Sequence, residues 1–134
     1  MVKPFFSESL SNLFTAVDID SRTRTYRDKI ALTWHSVDHD QTEQDRINIA
    51  KAADKLMTIS GIEASFALLH ANNVVTISAR SGDKINVQLI MQRLGGGGHF
   101  DSAGATLTHT SLESASQQLK TVIDDYLDHE YGKK

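Results

Sequence analysis

Along this chain the apolar period switches repeatedly between that of a strand and that of a helix, and this alternation restricts the fold more than any other feature. Residues 30–35, Ile-Ala-Leu-Thr-Trp-His, form an apolar run with β-branched and aromatic members and predict a strand. After a polar stretch, Thr42 with Asp45 three positions on predicts a capping box, followed by Ile49, Ala53, Leu56 and Met57 at helical spacing. Gly61 is placed to be the glycine that follows this helix. Residues 64–69 and 74–79 predict two strands joined by a hairpin turn at His70-Ala71-Asn72-Asn73. Val87, Ile90, Met91 and Leu94 then fall on one face of a short helix. A last short strand is predicted over 105–108, and a closing helix capped by Thr110 and Glu113 turns Leu112, Ala115, Leu119, Val122 and Tyr126 inward. The order β-α-β-β-α-β-α predicts an α/β fold, a mixed sheet of about four to five strands with helices packed against it. Pro4, the sole proline, precedes all of these elements. Residues 1–25 read as a linker or leading helix, with Phe5, Phe6, Leu10, Leu13, Phe14 and Val17 able to line one side. Residues 26–134 then make one domain.

The charge balance narrows the classes of partner. Fourteen Lys and Arg against seventeen Asp and Glu give a net charge of −3. Coating a nucleic-acid backbone or an anionic membrane takes a basic excess, so neither role is expected. A small nucleotide gripped by a few placed groups remains compatible. The absence of cysteine removes disulfides, cysteine-ligated zinc and thiolate nucleophiles, and agrees with a reducing compartment. No apolar run is long enough to predict a membrane span.

Gly95, Gly96, Gly97 and Gly98, followed by His99, are the most specific local feature. A helix C-cap requires one glycine, and each further glycine adds conformational entropy to the unfolded chain. Successive amides without side chains form an anion-binding nest, to which His99 adds a donor that can carry charge. The run lacks the Lys-Ser/Thr ending of a P-loop, and it follows a helix where a dinucleotide fingerprint follows a strand. Within 74–81, strand alternation places Val75, Ile77 and Ala79 on one face and Thr76, Ser78 and Arg80 on the other. At the strand end Arg80 can grip a phosphate through two hydrogen bonds, with Ser78 or Ser81 adding a hydroxyl; the plainer alternative is a surface ion pair with Asp83.

The segment Ile77-Ser78-Ala79-Arg80-Ser81, then Asn86-Val87 opening a helix, then the glycine run with His99 and a stretch of small residues, resembles the DHH-associated domain. That domain is the C-terminal half of the Asp-His-His phosphoesterases. Ala52-Ala53-Asp54-Lys55-Leu56 and Gly61-Ile62-Glu63-Ala64-Ser65-Phe66 are most similar to the GdpP-type cyclic-di-AMP phosphodiesterases. After His99 the chain has Phe-Asp-Ser-Ala-Gly where the GdpP-like pattern has Leu-Thr-Asn-Ala-Ala. The resemblance implies a substrate-binding domain that closes over nucleotide or short oligonucleotide phosphates, with Ser78, Arg80, Ser81, Gly95, Gly96, Gly97, Gly98 and His99 as binding residues. It assigns the catalytic metals, usually Mn2+, to a preceding DHH domain, so this chain would carry no metal, no catalytic residue and no activity alone. It further implies a cytoplasmic location, in a parent that is membrane-anchored elsewhere, and leaves a homodimer open. The alternative from another class is a stand-alone nucleic-acid-binding module.

Other polar clusters carry less. Asp38-His39-Asp40 lies in the turn before the first helix and reads as local turn and cap chemistry. His35, His70, His109 and His129 lack partners at ligand spacing and read as structural or surface residues, and Trp34 as core or interface. Asp124, Asp125, Asp128 and Glu130 predict a solvated face of the last helix.

Overall fold

A computed structural model describes residues 23–131, with side chains through 129, so nearly all of the leading segment (1–25) lies outside the described residues. The elements run β1 (Arg24–Tyr26), β2 (Ile30–Ser36), α1 (Glu43–Leu56), β3 (Ala64–Ala71), β4 (Val74–Ser81), α2 (Val87–Arg93), β5 (Gly97–His99), β6 (Ser102–Thr108) and α3 (Leu112–Tyr126), which ends in a wider turn, Leu127–Tyr131. The strands form one six-stranded mixed sheet in the order β1-β2-β3-β4-β6-β5. The α/β class agrees with the sequence; the sheet is larger because two three-residue edge strands, β1 and β5, add to it. β2 and β3 are parallel and every other neighbouring pair is antiparallel.

The sheet is covered differently on its two faces. On one, Ile30, Leu32, Phe66, Leu68, Val75, Ile77 and Ala79 pack against α2 and α3 through Ile90, Met91, Ala115, Leu119 and Ile123. Each large side chain fully buried there contributes about 1.5–3 kcal/mol. On the other, Ala67 and Leu69 receive Ile49 and Ala53 of α1. The Ser65 hydroxyl, fully buried, donates to the Ala53 carbonyl at 2.6 Å and pins α1 to β3. α1 packs on β2, β3 and β4. Beyond it the strip of β4, β6 and β5 on that face is open, with Ser78, Ser102 and Gly104 half-buried and Thr106 and His99 exposed.

Local chemistry sets the element ends. Thr42 accepts from the Asp45 amide while the Asp45 carboxylate accepts from the Thr42 amide, closing the capping box. Asn72 and Asn73 both have positive φ, 50° and 66°, as a two-residue hairpin between right-twisted strands requires. Several ends differ from the sequence reading, β3 and β4 among them, which run on to Ala71 and Ser81. Gly61 does adopt a left-handed φ of 88°, but α1 stops at Leu56 and several turn residues intervene. The cap of α3 is Ser111, whose hydroxyl accepts from the Ser114 amide, and not Thr110, whose own hydroxyl donates to the Ser111 carbonyl. β6 begins at Ser102, earlier than expected, because the small residues of 102–104 pair with both β4 and β5.

The acidic side of α3 is paired and not merely solvated. Asp124 accepts from the Tyr26 hydroxyl and from Arg27, Asp128 from Arg27, and Asp125 from Arg93. These bonds tie the β1 edge and α2 to α3. The Glu130 side chain lies outside those described. Trp34 is half-buried against the larger core cluster, with the Arg24 guanidinium 5.7 Å from its ring centroid.

Candidate phosphate-binding face

The glycine run divides between two tasks. Leu94 caps α2; the Gly95 amide donates to the Gln92 carbonyl and the Gly96 amide to the Met91 carbonyl, a Schellman ending with Gly95 at a φ of 86°. Those two amides satisfy the helix end, so the nest expected from four successive amides reduces to what Gly97 and Gly98 offer. A Cβ at Gly96 would collide with the Gly104 carbonyl, and one at Gly98 would lie 2.5 Å from the Ala103 Cα. Close packing of β5 on β6 therefore excludes side chains at both. Only Gly97 in the run combines an ordinary φ with open space around its missing Cβ.

Register then decides which groups meet. Arg80 pairs with Ser102, and Ser102 with His99, so Arg80, Ser102 and His99 form one row across β4, β6 and β5. The next row is Ser78, Gly104 and Gly97. Directly paired residues share a sheet face, so all six positions face the open strip beside α1. Two strand spacings separate Arg80 from His99 at the backbone, about 10 Å, with Ser102 between them. Gly97 and Gly104 leave the floor of the second row without side chains. Ser78, Ser102 and His99 make no side-chain hydrogen bond to any described residue, and their donors remain available to a ligand.

Arg80 has a partner the sequence did not indicate. Its Nε donates to Asp54 Oδ1 of α1 at 2.7 Å, and Nη1 to the Ala79 carbonyl at 2.9 Å; Asp83 is not the partner. Nη2 makes no hydrogen bond among the described residues. Arg80 is 20% exposed and Asp54 61% exposed, so the cation is held low over the sheet with the carboxylate toward solvent. Ser81 turns away from the row: its hydroxyl donates to the Phe100 carbonyl at 3.2 Å and its amide to the Asp101 carbonyl at 3.1 Å. It thereby ties down the Phe100-Asp101 turn between β5 and β6, which carries His99. Ser78, Arg80, Gly97 and His99 are thus brought together on the open face. Gly95, Gly96, Gly98 and Ser81 build the support beneath them.

The DHHA1 domain family matches residues 30–127, a span that includes every position of this face. The chain belongs to the DHHA1 family. This DHHA1 domain is 37% identical over 130 residues to the cyclic-di-AMP phosphodiesterase GdpP of Bacillus subtilis (strain 168), covering 96% of the chain and 19% of that relative. It is 33% identical over 127 residues to the cyclic-di-AMP phosphodiesterase PdeA of Listeria monocytogenes serotype 1/2a (strain 10403S), covering 94% of the chain and 19% of that relative. The chain therefore spans about a fifth of each of these relatives. Among solved structures, an exopolyphosphatase-related protein from Bacteroides fragilis shares the fold, with a TM-score of 0.72, 18% identity, and coverage of 87% of this chain and 35% of that one.

Ser102, Gly104 and Asp54 are the members of the face that the sequence reading missed. Ser102 and Gly104 gave no strand signal because small residues carry no apolar alternation. Their symmetric offset from His99 and Gly97 across the turn at residues 100–101 was the one available clue. Among the described residues no group of three or more His, Cys, Asp or Glu side chains is arranged to hold a metal ion. His39 lies between Asp38 and Asp45, with Nδ1 3.3 Å from Asp38 and Nε2 3.0 Å from Asp45, as part of the α1 cap. No described helix is long and apolar enough to cross a membrane.

Proposed function

We propose that this chain is the substrate-binding domain of a DHH-family phosphodiesterase acting on cyclic-di-AMP or short oligonucleotides, separated here from the metal-binding domain that completes the active site. The observation that carries this reading is the row Arg80, Ser102, His99 on an uncovered sheet face, above the side-chain-free row at Gly97 and Gly104. A guanidinium, two hydroxyls and an imidazole there converge without internal partners competing for Nη2 of Arg80. The names of the relatives at 37% and 33% identity support cyclic-di-AMP as the first substrate to test.

In this reading Arg80 Nη2, the Ser78 and Ser102 hydroxyls and the outward amides of edge strand β5 hold non-bridging phosphate oxygens. His99 donates to the same phosphate or its neighbour and so positions it. Two manganese ions in the DHH domain would supply the activated water; this chain binds and orients. The parent would carry its membrane anchor outside this chain and place this domain in the cytoplasm.

Titration of the chain with cyclic-di-AMP, pApA and a short RNA tests the reading. Binding of the first two that Arg80→Ala weakens at least tenfold is expected, since a charge-assisted hydrogen bond contributes about 1.5–3 kcal/mol. Affinity unchanged in Arg80→Ala would place the site elsewhere.

A further inference from the structure

Asp54 stands in direct contact with the Arg80 guanidinium, and both its placement and its charge bear on which phosphate that face accepts. Its position follows from the fold. The buried Ser65 hydroxyl holds the Ala53 carbonyl, and Ser65 is itself the register partner of Arg80 across β3 and β4. The residue after Ala53 is thereby fixed above Arg80, and the Asp54 carboxylate takes Nε at 2.7 Å. With Nη1 on the Ala79 carbonyl, two of the three guanidinium nitrogens are restrained and the fork cannot swing. A cation already held this way loses less conformational entropy when a ligand arrives.

The same carboxylate alters the charge that a ligand meets. Arg80 and Asp54 together sum to zero, so an anion on Nη2 gains a directed hydrogen bond but little net Coulomb attraction. A phosphodiester carries one negative charge. A terminal phosphate above neutral pH carries close to two, its second pKa being about 6. Each unit of ligand charge held roughly 5 Å from the Asp54 carboxylate at the dielectric of water loses about fourfold in affinity to that repulsion, which offsets what Arg80 contributes, and loses more where solvent is excluded.

We propose that Asp54 is a positioning and specificity-determining residue: its hydrogen bond orients Arg80, and its charge shifts the selectivity of the face away from a dianionic phosphomonoester and toward a phosphodiester. This rests on the proposed phosphate-binding role of the face. Two substitutions separate the two effects. Asp54→Asn keeps an oxygen acceptor for Nε and removes the charge; Asp54→Ala removes both. At 61% exposure neither disturbs the core.

The probes are cyclic-di-AMP, which has only diesters, and pApA, which has the same nucleosides and a terminal monoester, titrated at pH 8 against the wild-type chain, both variants and Arg80→Ala. Asp54→Asn is expected to strengthen cyclic-di-AMP about fourfold and pApA about sixteenfold, one factor of about four for each unit of ligand charge, so the ratio of the two dissociation constants moves about fourfold. Asp54→Ala, which also loses the hydrogen bond, is expected to bind both ligands more weakly than Asp54→Asn, and the two variants should become indistinguishable in an Arg80→Ala background, because the orienting effect acts through that side chain. An unchanged ratio in Asp54→Asn, or a difference between Asp54→Ala and Asp54→Asn that persists without Arg80, would overturn the inference. If Arg80→Ala itself changes nothing, the phosphate-binding reading fails first, and the specificity role fails with it.

Discussion

Replacing Gly98 by alanine would bring a Cβ to 2.6 Å from the Ser102 carbonyl and 2.8 Å from the Ala103 Cβ, at a φ of 146° that L-residues rarely adopt. The clash is with backbone on a paired strand and cannot be relieved by rotating a side chain. Strain of this kind costs about 1–3 kcal/mol, and overpacking adds to it. Gly96→Ala meets the same obstacle at the Gly104 carbonyl. Gly97→Ala does not, because nothing lies within 4 Å of its Cβ position and its backbone is ordinary. Thermal melts should therefore show Gly96→Ala and Gly98→Ala strongly destabilised and Gly97→Ala within about 1 kcal/mol of the parent. The added methyl at Gly97 occupies the floor of the open face, so the same well-folded variant should lose affinity for cyclic-di-AMP. Stability and binding losses that rank together across the three variants would argue against that assignment.

The start of α1 is built on a carboxylate shared between two jobs. Asp45 accepts from the Thr42 amide in the capping box and lies 3.0 Å from His39 Nε2. Hydrogen bonding to Asp45, and then to Asp38, raises the His39 pKa above its ordinary 6.5. Burial pushes Asp45 up, but the Thr42 amide, His39 and the Thr42 hydroxyl together bring it below its ordinary 3.8. The stabilisation from His39 is thus fully present below pH 6.5 and is lost as pH rises through its raised value. That from Asp45 is present above pH 3.8 and is lost as pH falls through its lowered value. His39→Gln should lower the melting temperature at pH 5–6 and leave it unchanged at pH 9; a constant difference across this range would show that the imidazole charge plays no part. This cap was legible in the sequence because Thr42 and Asp45 are three residues apart and act on their own backbone. The hairpin turn at Asn72-Asn73 and the stripe of α2 were legible for the same reason. β1 and β5 were not, since three residues establish no period and β5 is two glycines and a histidine. The Arg80–Asp54 pair, 26 residues apart, was hidden more deeply. It depends on the β3–β4 register and on the Ser65 pin, neither of which local spacing encodes.

The asymmetry of the sheet links these details to the proposed function. α2 and α3 together cover one face, while α1 alone sits on the other over β2, β3 and β4. A fold this size could have buried the β4–β6–β5 strip under another helix. Instead it presents Ser78, Arg80, Ser102 and His99 there, over glycines that keep side chains from filling the space. In the proposed reading such a face binds and orients a phosphate. In the same reading the activated water is supplied by metal ions held in a DHH domain outside this chain. The chain also spans only 19% of the length of its GdpP and PdeA relatives. Incubated with cyclic-di-AMP or pApA and Mn2+, the 134-residue chain should therefore bind nucleotide and release no hydrolysis product. Manganese-dependent turnover that Arg80→Ala abolishes would show that this face is itself a catalytic centre and that the division between a binding and a metal domain is wrong. Turnover indifferent to Arg80→Ala would instead locate chemistry away from the open face, and the two outcomes are separated by that single substitution.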